Sequence, residues 1–285
     1  MSGTIYLVGT PIGNLEDITL RALRILKEVD LIAAEDTRRT AKLLNHFAIR
    51  KPLVSYHEHN EPRRADELVG EALGGKSIAL VSDAGMPVIS DPGYRLVVQA
   101  VARGVPVVPV PGPVAAETAM AASGLPYQAF RFGGFLPPKR NRRRKVFEDL
   151  AADAATLVFF EAPHRIVAAL DDVLSVLGPR PVVVAREMTK VHEEFLRGRA
   201  DEVLAQLRRR PEVRGEITLL IAPGEAAPAA GNLAERVAEL VRENKLTRME
   251  ALKQAARERG ISKREAYRNL VGGCLEPPMD ADKRR

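Results

Sequence analysis

The stretch "LVSDAGMPVISDPG", Leu80 to Gly93, decides how the chain is read. An apolar run stops at Val81 in a loop holding two aspartates, two prolines and two glycines. Glycine loops after strands commonly cradle phosphate, because bare backbone N–H groups approach an anion closely. Asp83 and Asp91 put negative charge where that phosphate would sit. The question is what an acidic, rigid loop at a strand end binds.

Working outward, strand-like and helix-like segments alternate. "IYLV" (Ile5–Val8), "LIAAE", "PLVSY", "SIALVS" and "VPVVPV" read as strands. Between them "TLRALRILKEVD", "RRTAKLLNHF", "EPRRADELVGEALGG" and "GYRLVVQAVARG" read as helices, and "PVAAETAMAASG" follows the last strand. In the first helix Leu20, Leu23, Ile25 and Leu26 are assigned to the apolar side. This rhythm predicts βαβ units and a parallel sheet covered on both faces. Ligands of such sheets bind beyond the carboxyl ends of strands, where the loops after Val8, Val81 and Val110 converge.

Beyond "SGLPYQ" (Ser123–Gln128) the rhythm changes. "TLVFFEAP", "RPVVVARE", "EEFLRG" and "GEITLLIAP" read as strands, with the second and third close enough to pair antiparallel, which predicts a mixed sheet. "PGEAAPAAG" (Pro223–Gly231) reads as a linker. Three helices are expected after it, at Leu233–Glu243, Arg248–Arg257 and Lys263–Val271, with Thr247/Glu250 and Ser262/Glu265 as capping boxes. The last two resemble a helix-turn-helix, a pattern many non-binding helix pairs share. The fold class expected is α/β: a domain over 1–123, a second over 124–225, and a helical extension over 232–285.

The chain has 285 residues and a formal charge of +6. The excess is uneven: "PKRNRRRK" (Pro138–Lys145) has six basic residues in eight and no acid. It reads as a flexible arm, through Lys139, Arg140, Arg142 and Arg143, for an anionic partner such as RNA, or else as a solvated face. No apolar run approaches the roughly 20 residues of a membrane helix, and the opening residues lack a signal-peptide pattern. One cysteine, Cys274, leaves no internal disulfide and no thiolate cluster. These features together predict a cytoplasmic protein.

Several chemistries are disfavoured by spacing. "GTPIGN" (Gly9–Asn14) lacks the Gly-Lys-Ser/Thr of a phosphate loop, and no G-x-G-x-x-G follows Val8. "HEH" (His57–His59) has no second ligand cluster for zinc, so no metal is expected. No G-x-S-x-G elbow is present.

Eight blocks occur in order: "YLVGTPIGNLEDITLRAL", "AAEDTRRTAKLLNHF", "SYHEHNE", "LVSDAGMPVISDPG", "PVPGP", "GGFLP", "FFEAPHR" and "REMTKVHEE". Together they closely resemble the bacterial small-subunit ribosomal RNA methyltransferase I family of the tetrapyrrole-methylase superfamily. The resemblance implies two α/β domains with S-adenosylmethionine (SAM) in the cleft between them, a homodimer, and 2′-O-methylation of a cytidine in the decoding centre of 16S rRNA within the small subunit. It answers the opening question, since an acidic loop favours the sulfonium and ammonium charges of SAM. The family's cofactor motif falls on Asp83, Ala84, Gly85, Val88 and Ile89, with Pro111, Gly112, Ala115 and Ala116 as the adjacent wall. Thr10, Pro11 and Gly13 would line the cleft nearer the substrate. Met86 stands where family members commonly have Thr, which removes one hydroxyl from the cofactor loop.

For proton handling, "REMTKVHEE" offers Lys190 or Glu187, with Arg186 to hold a substrate phosphate; an ion-pair network supporting the strand is the alternative. Strand-like alternation would put Arg186 and Met188 on one face, and Glu187 and Thr189 on the other. Arg38 and Arg39 have no evident core role and could meet RNA, while Asp36 reads as a helix cap. Arg165, at a helix start, opposes the helix dipole and hints at a ligand.

Overall fold

The computed structural model describes residues 2–224, 233–244, 246–258, 266–268 and 270. They fall into two compact units, one formed by 1–148 with 155–222 and the other by 149–154 with 223–285.

The first unit begins with alternating elements. They are β1 (Ile5–Val8), α1 (Leu20–Glu28), β2 (Leu31–Ala34), α2 (Thr37–His46), β3 (Leu53–Ser55), α3 (Glu61–Leu73), β4 (Ile78–Val81), α4 (Tyr94–Ala102), β5 (Val107–Val110) and α5 (Ala115–Ser123). The five strands form an all-parallel sheet in the order β3-β2-β4-β1-β5. Both faces are buried, as parallel sheets require. On β4, Ile78 and Leu80 join the core against α3 and α4, while Ala79 and Val81 join the core against α1 and α2. Local signals set the helix starts: the Thr19 side chain accepts from the Ala22 N–H and Asp36 from the Arg38 N–H. Leu20 departs from the expected apolar side. It occupies the first helical position, before the buried stripe begins at Ala22, and is 88% exposed.

The second sheet contains β6 (Phe130–Phe135), β7 (Thr156–Glu161), β8 (Pro181–Arg186), β9 (Glu194–Arg199) and β10 (Ile217–Ile221), in the order β6-β7-β10-β8-β9. Only β6 and β7 run parallel, so the sheet is mixed as expected. Strand β6, an edge strand with two central glycines, carries weak sequence signal and is an addition to the sequence reading. The helices interspersed with these strands are α6 (Arg140–Asp149), α7 (Ile166–Leu177) and α8 (Ala200–Arg208). Helix α5, the last element before the expected boundary at 123, packs on this second sheet: Ala116, Ala119 and Met120 meet Val158, Val183, Ala185 and Leu220.

The basic run is helical, which corrects the expectation of a flexible arm. Its centre is anchored within the fold by one carboxylate. Asp172 of α7 is fully buried, and Arg143, itself buried, donates to it through Nε at 2.9 Å and Nη2 at 2.6 Å. Arg140 reaches the same carboxylate at 3.0 Å, and Arg144 donates to Ser175 at 2.8 Å. Arg143 is therefore a core residue, while Lys139, Arg140 and Arg142 stay exposed.

In the other unit α9 (Leu233–Asn244) and α10 (Arg248–Glu258) pack Leu233, Val237 and Leu240 against Ala251, Leu252, Ala255 and Ala256. The Thr247–Glu250 capping box forms, with the Thr247 N–H donating to Glu250 at 2.9 Å. The Ser262–Glu265 start signal, Cys274, and most of both the linker and the third helix lie outside the described residues.

Removing the buried carboxylate strands Arg143 in an apolar interior. Asp172→Ala is expected to lower the unfolding free energy by about 3–5 kcal/mol, whereas Arg142→Ala stays within about 0.5 kcal/mol of the parent. Urea unfolding monitored by circular dichroism measures both.

Candidate active site

Parallel strands place the loops after β1, β4 and β5 side by side. Thr10 and Gly85 pair by backbone bonds, Thr10 N–H to Gly85 O at 2.9 Å and Gly85 N–H to Thr10 O at 3.1 Å. The Thr10 hydroxyl donates to Ser82 O at 3.2 Å, and the residue is buried. Thr10 thus ties two loops together rather than facing a ligand. Gly112 crosses Gly9 so closely that a Cβ on it would stand 2.8 Å from the Gly9 Cα, so glycine is required there. The acidic loop is strained: Val88 has φ 78° and Ser90 φ 64°. Positive φ is a genuine outlier for a β-branched residue and costs about 1–3 kcal/mol.

These loops and the facing end of the second sheet enclose a cavity of about 500 Å³. Of the expected cofactor residues, Asp83, Ala84, Gly85, Ile89 and Ala115 line it, together with Arg39 and Met86. Val88 instead packs on the first sheet's core, Ala116 is buried under the second sheet, and Pro111 and Gly112 are not in the lining, Gly112 packing against Gly9. The second sheet contributes Phe135, Phe160, Met188, Gly215, Glu216 and Thr218.

One wall is acidic. Asp83 accepts from the Asp36 N–H at 3.1 Å, its own N–H donates to Glu35 at 3.3 Å, and Arg39 pairs with its carboxylate at 3.2 Å. Burial raises the Glu35 pKa, reinforced by the charges of Asp83 and Asp36 against a hydrogen bond from the Asp83 backbone. Burial likewise pushes Asp91 up to about 6, with Glu35 and Asp83 adding to it and a Ser82 hydrogen bond opposing. Burial and mutual repulsion thus make negative charge costly at Glu35 and Asp91, a cost that a cationic ligand would relieve. Glu35 was missed in the sequence; its signal is an acid directly after the fully buried run of β2, at the ligand edge of the sheet.

The turn after β8 does not continue the strand alternation. Glu187 and Thr189 take φ 52° and 66°, which folds the chain back. Lys190 then pairs with Glu187 at 2.8 Å and Glu216 at 3.1 Å. Burial lowers the Lys190 pKa, but its bonds to Glu187 and Glu216 outweigh this and raise it; Glu187 is held low, first by Lys190 and then by the Glu216 N–H. Gly13 of the first loop lies against this turn, where a Cβ would come 2.6 Å from the Lys190 side chain. Pro11 beside it is half-buried.

Three further arginines expected at the site have protein partners. Arg186 donates to Glu194 at 3.0 Å and Arg214 O at 3.1 Å. Arg165 pairs with the buried Glu161 at 2.6 Å, which answers its position at a helix start. Arg38, 88% exposed, pairs with its own helix cap, Asp36. Among the described residues there is no cluster of metal-binding side chains and no helix long and apolar enough to cross a membrane.

Two α/β sheets with an acidic cavity between their ends describe a known class. The profile of Tetrapyrrole (Corrin/Porphyrin) Methylases matches residues 4–204, and the chain belongs to that family. A uroporphyrin-III C-methyltransferase from Thermus thermophilus, solved in complex with S-adenyl homocysteine, has the same fold at TM-score 0.54 and 23% identity, over 77% of this chain and 97% of its own. More similar in sequence are proteins named Ribosomal RNA small subunit methyltransferase I. The one from Halalkalibacterium halodurans is 49% identical over 93% of each chain. That from Micromonospora olivasterospora is 50% identical over 90% of this chain and 82% of its own.

Because Asp91 keeps its proton to about 6 in the fold, against an ordinary 3.8, the folded state binds more protons than the unfolded one between these values. Its contribution to stability is present below about pH 4 and is lost as pH rises to about 6. Asp91→Asn should escape that loss, so the stability difference between variant and parent grows across the window. A difference constant with pH, measured by urea titration, contradicts the assignment.

Proposed function

We propose that the chain transfers the methyl group of SAM to the ribose 2′-hydroxyl of a cytidine in the decoding centre of 16S rRNA, acting on the small ribosomal subunit as a cytoplasmic homodimer. The observation that carries this reading is the cavity with Glu35, Asp83 and Asp91 on one wall, joined to close similarity with proteins named as rRNA methyltransferases. About 500 Å³ suits a cofactor-sized ligand. Its carboxylates suit a ligand with a sulfonium and an ammonium, as they would not suit a phosphate.

When bound there, SAM supplies an electrophilic methyl carbon and a sulfur leaving group. Asp83, fixed by the Asp36 N–H and Arg39, would hold the cationic end, and Gly85 would bring bare backbone against the ligand. Ala115 and Ile89 close the apolar side of the site. Displacement at carbon needs alignment more than covalent chemistry, so the two sheets act chiefly by positioning. Exposed Lys139, Arg140 and Arg142 at the start of α6, with Arg38, offer phosphate contacts on the outside. Arg143, Arg165 and Arg186 are reserved for Asp172, Glu161 and Glu194.

Unmodified small subunits incubated with tritiated SAM should yield 2′-O-methylcytidine after nuclease digestion and mass mapping. Label on a base, or none with SAM bound, contradicts this reading. Asp83→Ala should weaken SAM binding about 10- to 100-fold, equivalent to a charged hydrogen bond of roughly 1.5–3 kcal/mol; calorimetry reads it. Replacing Lys139 and Arg142 by Ala should reduce the slope of log affinity against log salt by about 1–2 with SAM affinity unchanged. An unaltered slope makes these two residues a solvated face only.

A further inference from the structure

Taking the chain as a ribose 2′-O-methyltransferase, we infer that Glu216 is the group that takes the proton from the acceptor hydroxyl. Three ionisable groups meet at the turn after β8, and their surroundings give them different parts. Lys190 donates to both Glu187 and Glu216. Those two carboxylates keep it an ammonium, which has no lone pair to accept a proton. Glu187 Oε1 already accepts from Lys190 Nζ at 2.8 Å and from the Glu216 N–H at 2.9 Å, and the Glu187 N–H donates to Glu216 O at 2.9 Å. With a side chain only 19% exposed, Glu187 is the pivot of the turn.

Glu216 differs from both. It lines the cavity, its side chain is 71% exposed, and only Oε2 is engaged, by Lys190 at 3.1 Å. Among the described residues Oε1 has no partner. Its placement is built into the backbone. Gly215 has φ 94°, and a Cβ there would overlap the Glu187 side chain, so glycine alone lets the chain lie against Glu187 as it enters β10. Antiparallel pairing then sets the start of β10 beside the ends of β7 and β8, with Ile217 opposite Glu161 and Arg186. The acids of the opposite wall are occupied otherwise: Asp83 by Arg39 and the Asp36 N–H, Glu35 by the Asp83 N–H, and Asp91 by Ser82.

In the step, the acceptor oxygen bonds to the methyl carbon as the carbon–sulfur bond breaks, and the electron pair stays on sulfur, which becomes neutral. The hydroxyl proton passes to Glu216 Oε1 and from that exposed carboxylate to water. Lys190 holds Oε2 and so orients the carboxylate; it is a positioning residue.

The test compares full-length wild type, Glu216→Gln and Glu216→Asp. S-adenosylhomocysteine affinity is read by calorimetry, binding to unmodified small subunits by filtration, and single-turnover methyl transfer from about pH 6 to about pH 9. Glu216→Gln should bind both ligands within about twofold of wild type and transfer methyl about 10²- to 10⁴-fold more slowly. Its log rate should climb with pH at a slope near one, where wild type is flat, and Asp should recover part of the rate. A wild-type rate and flat profile in Glu216→Gln overturns the assignment, as does a slower rate explained wholly by weaker ligand binding. Wild type that makes no 2′-O-methylated nucleotide overturns the underlying reading of function instead.

Discussion

The backbone pair between Thr10 and Gly85 is the joint on which the cavity depends. It locks the loop after β1 to the loop after β4, with the Thr10 hydroxyl sealing the seam at Ser82. Gly9 and Gly112 then bring the β5 loop into contact with the same joint. Only after these three loops are fixed can Asp83 and Asp91 be held near Glu35 against their mutual repulsion. Positive φ at Val88 and Ser90 is strain that the surrounding packing sustains, and its location beside a binding cavity is where such strain concentrates.

Charge in this protein is spent mostly on itself. The run from Lys139 to Lys145 has the composition of a nucleic-acid arm, yet its centre is inserted into the second sheet's helical layer through Arg143 and Asp172. Burying one arginine with a two-pronged partner fixes the register of α6 against α7, and leaves the first residues of α6 facing outward. The same logic governs Arg165 with Glu161. Each of these two arginines satisfies a carboxylate that would be costly to bury alone.

Reading the fold from the sequence succeeded wherever a period was long and clean. The βαβ rhythm through β1 to β5, the caps at Thr19 and Asp36, and the antiparallel pair of β8 and β9 were all legible, because each is a local pattern of apolar spacing and capping residues. Strand β6 was not, since two glycines in six residues dilute the signal of an edge strand. Asp83, Ala84, Gly85, Ile89 and Ala115, which line the cavity, were placed by the family resemblance, while the residues alone marked only the glycine loops at the strand ends. Glu35 and Glu216 were not placed, since each lies far in sequence from those loops and is brought to them by the sheets.

The sequence by itself determined two α/β sheets, a ligand edge where glycine loops gather, and an acidic rather than phosphate-binding character for that edge. These follow from periodicity and from which residue types sit between strands. Tertiary structure alone decided which charges are free. Arg142 and Arg143 are neighbours of one type, yet one is solvated and the other buried on Asp172, 29 residues away. In sequence Lys190 or Glu187 could handle a proton or belong to an ion-pair network; only the fold shows one ammonium shared by Glu187 and Glu216. Pairing across the fold sets the energy of a charge, and composition does not encode pairing.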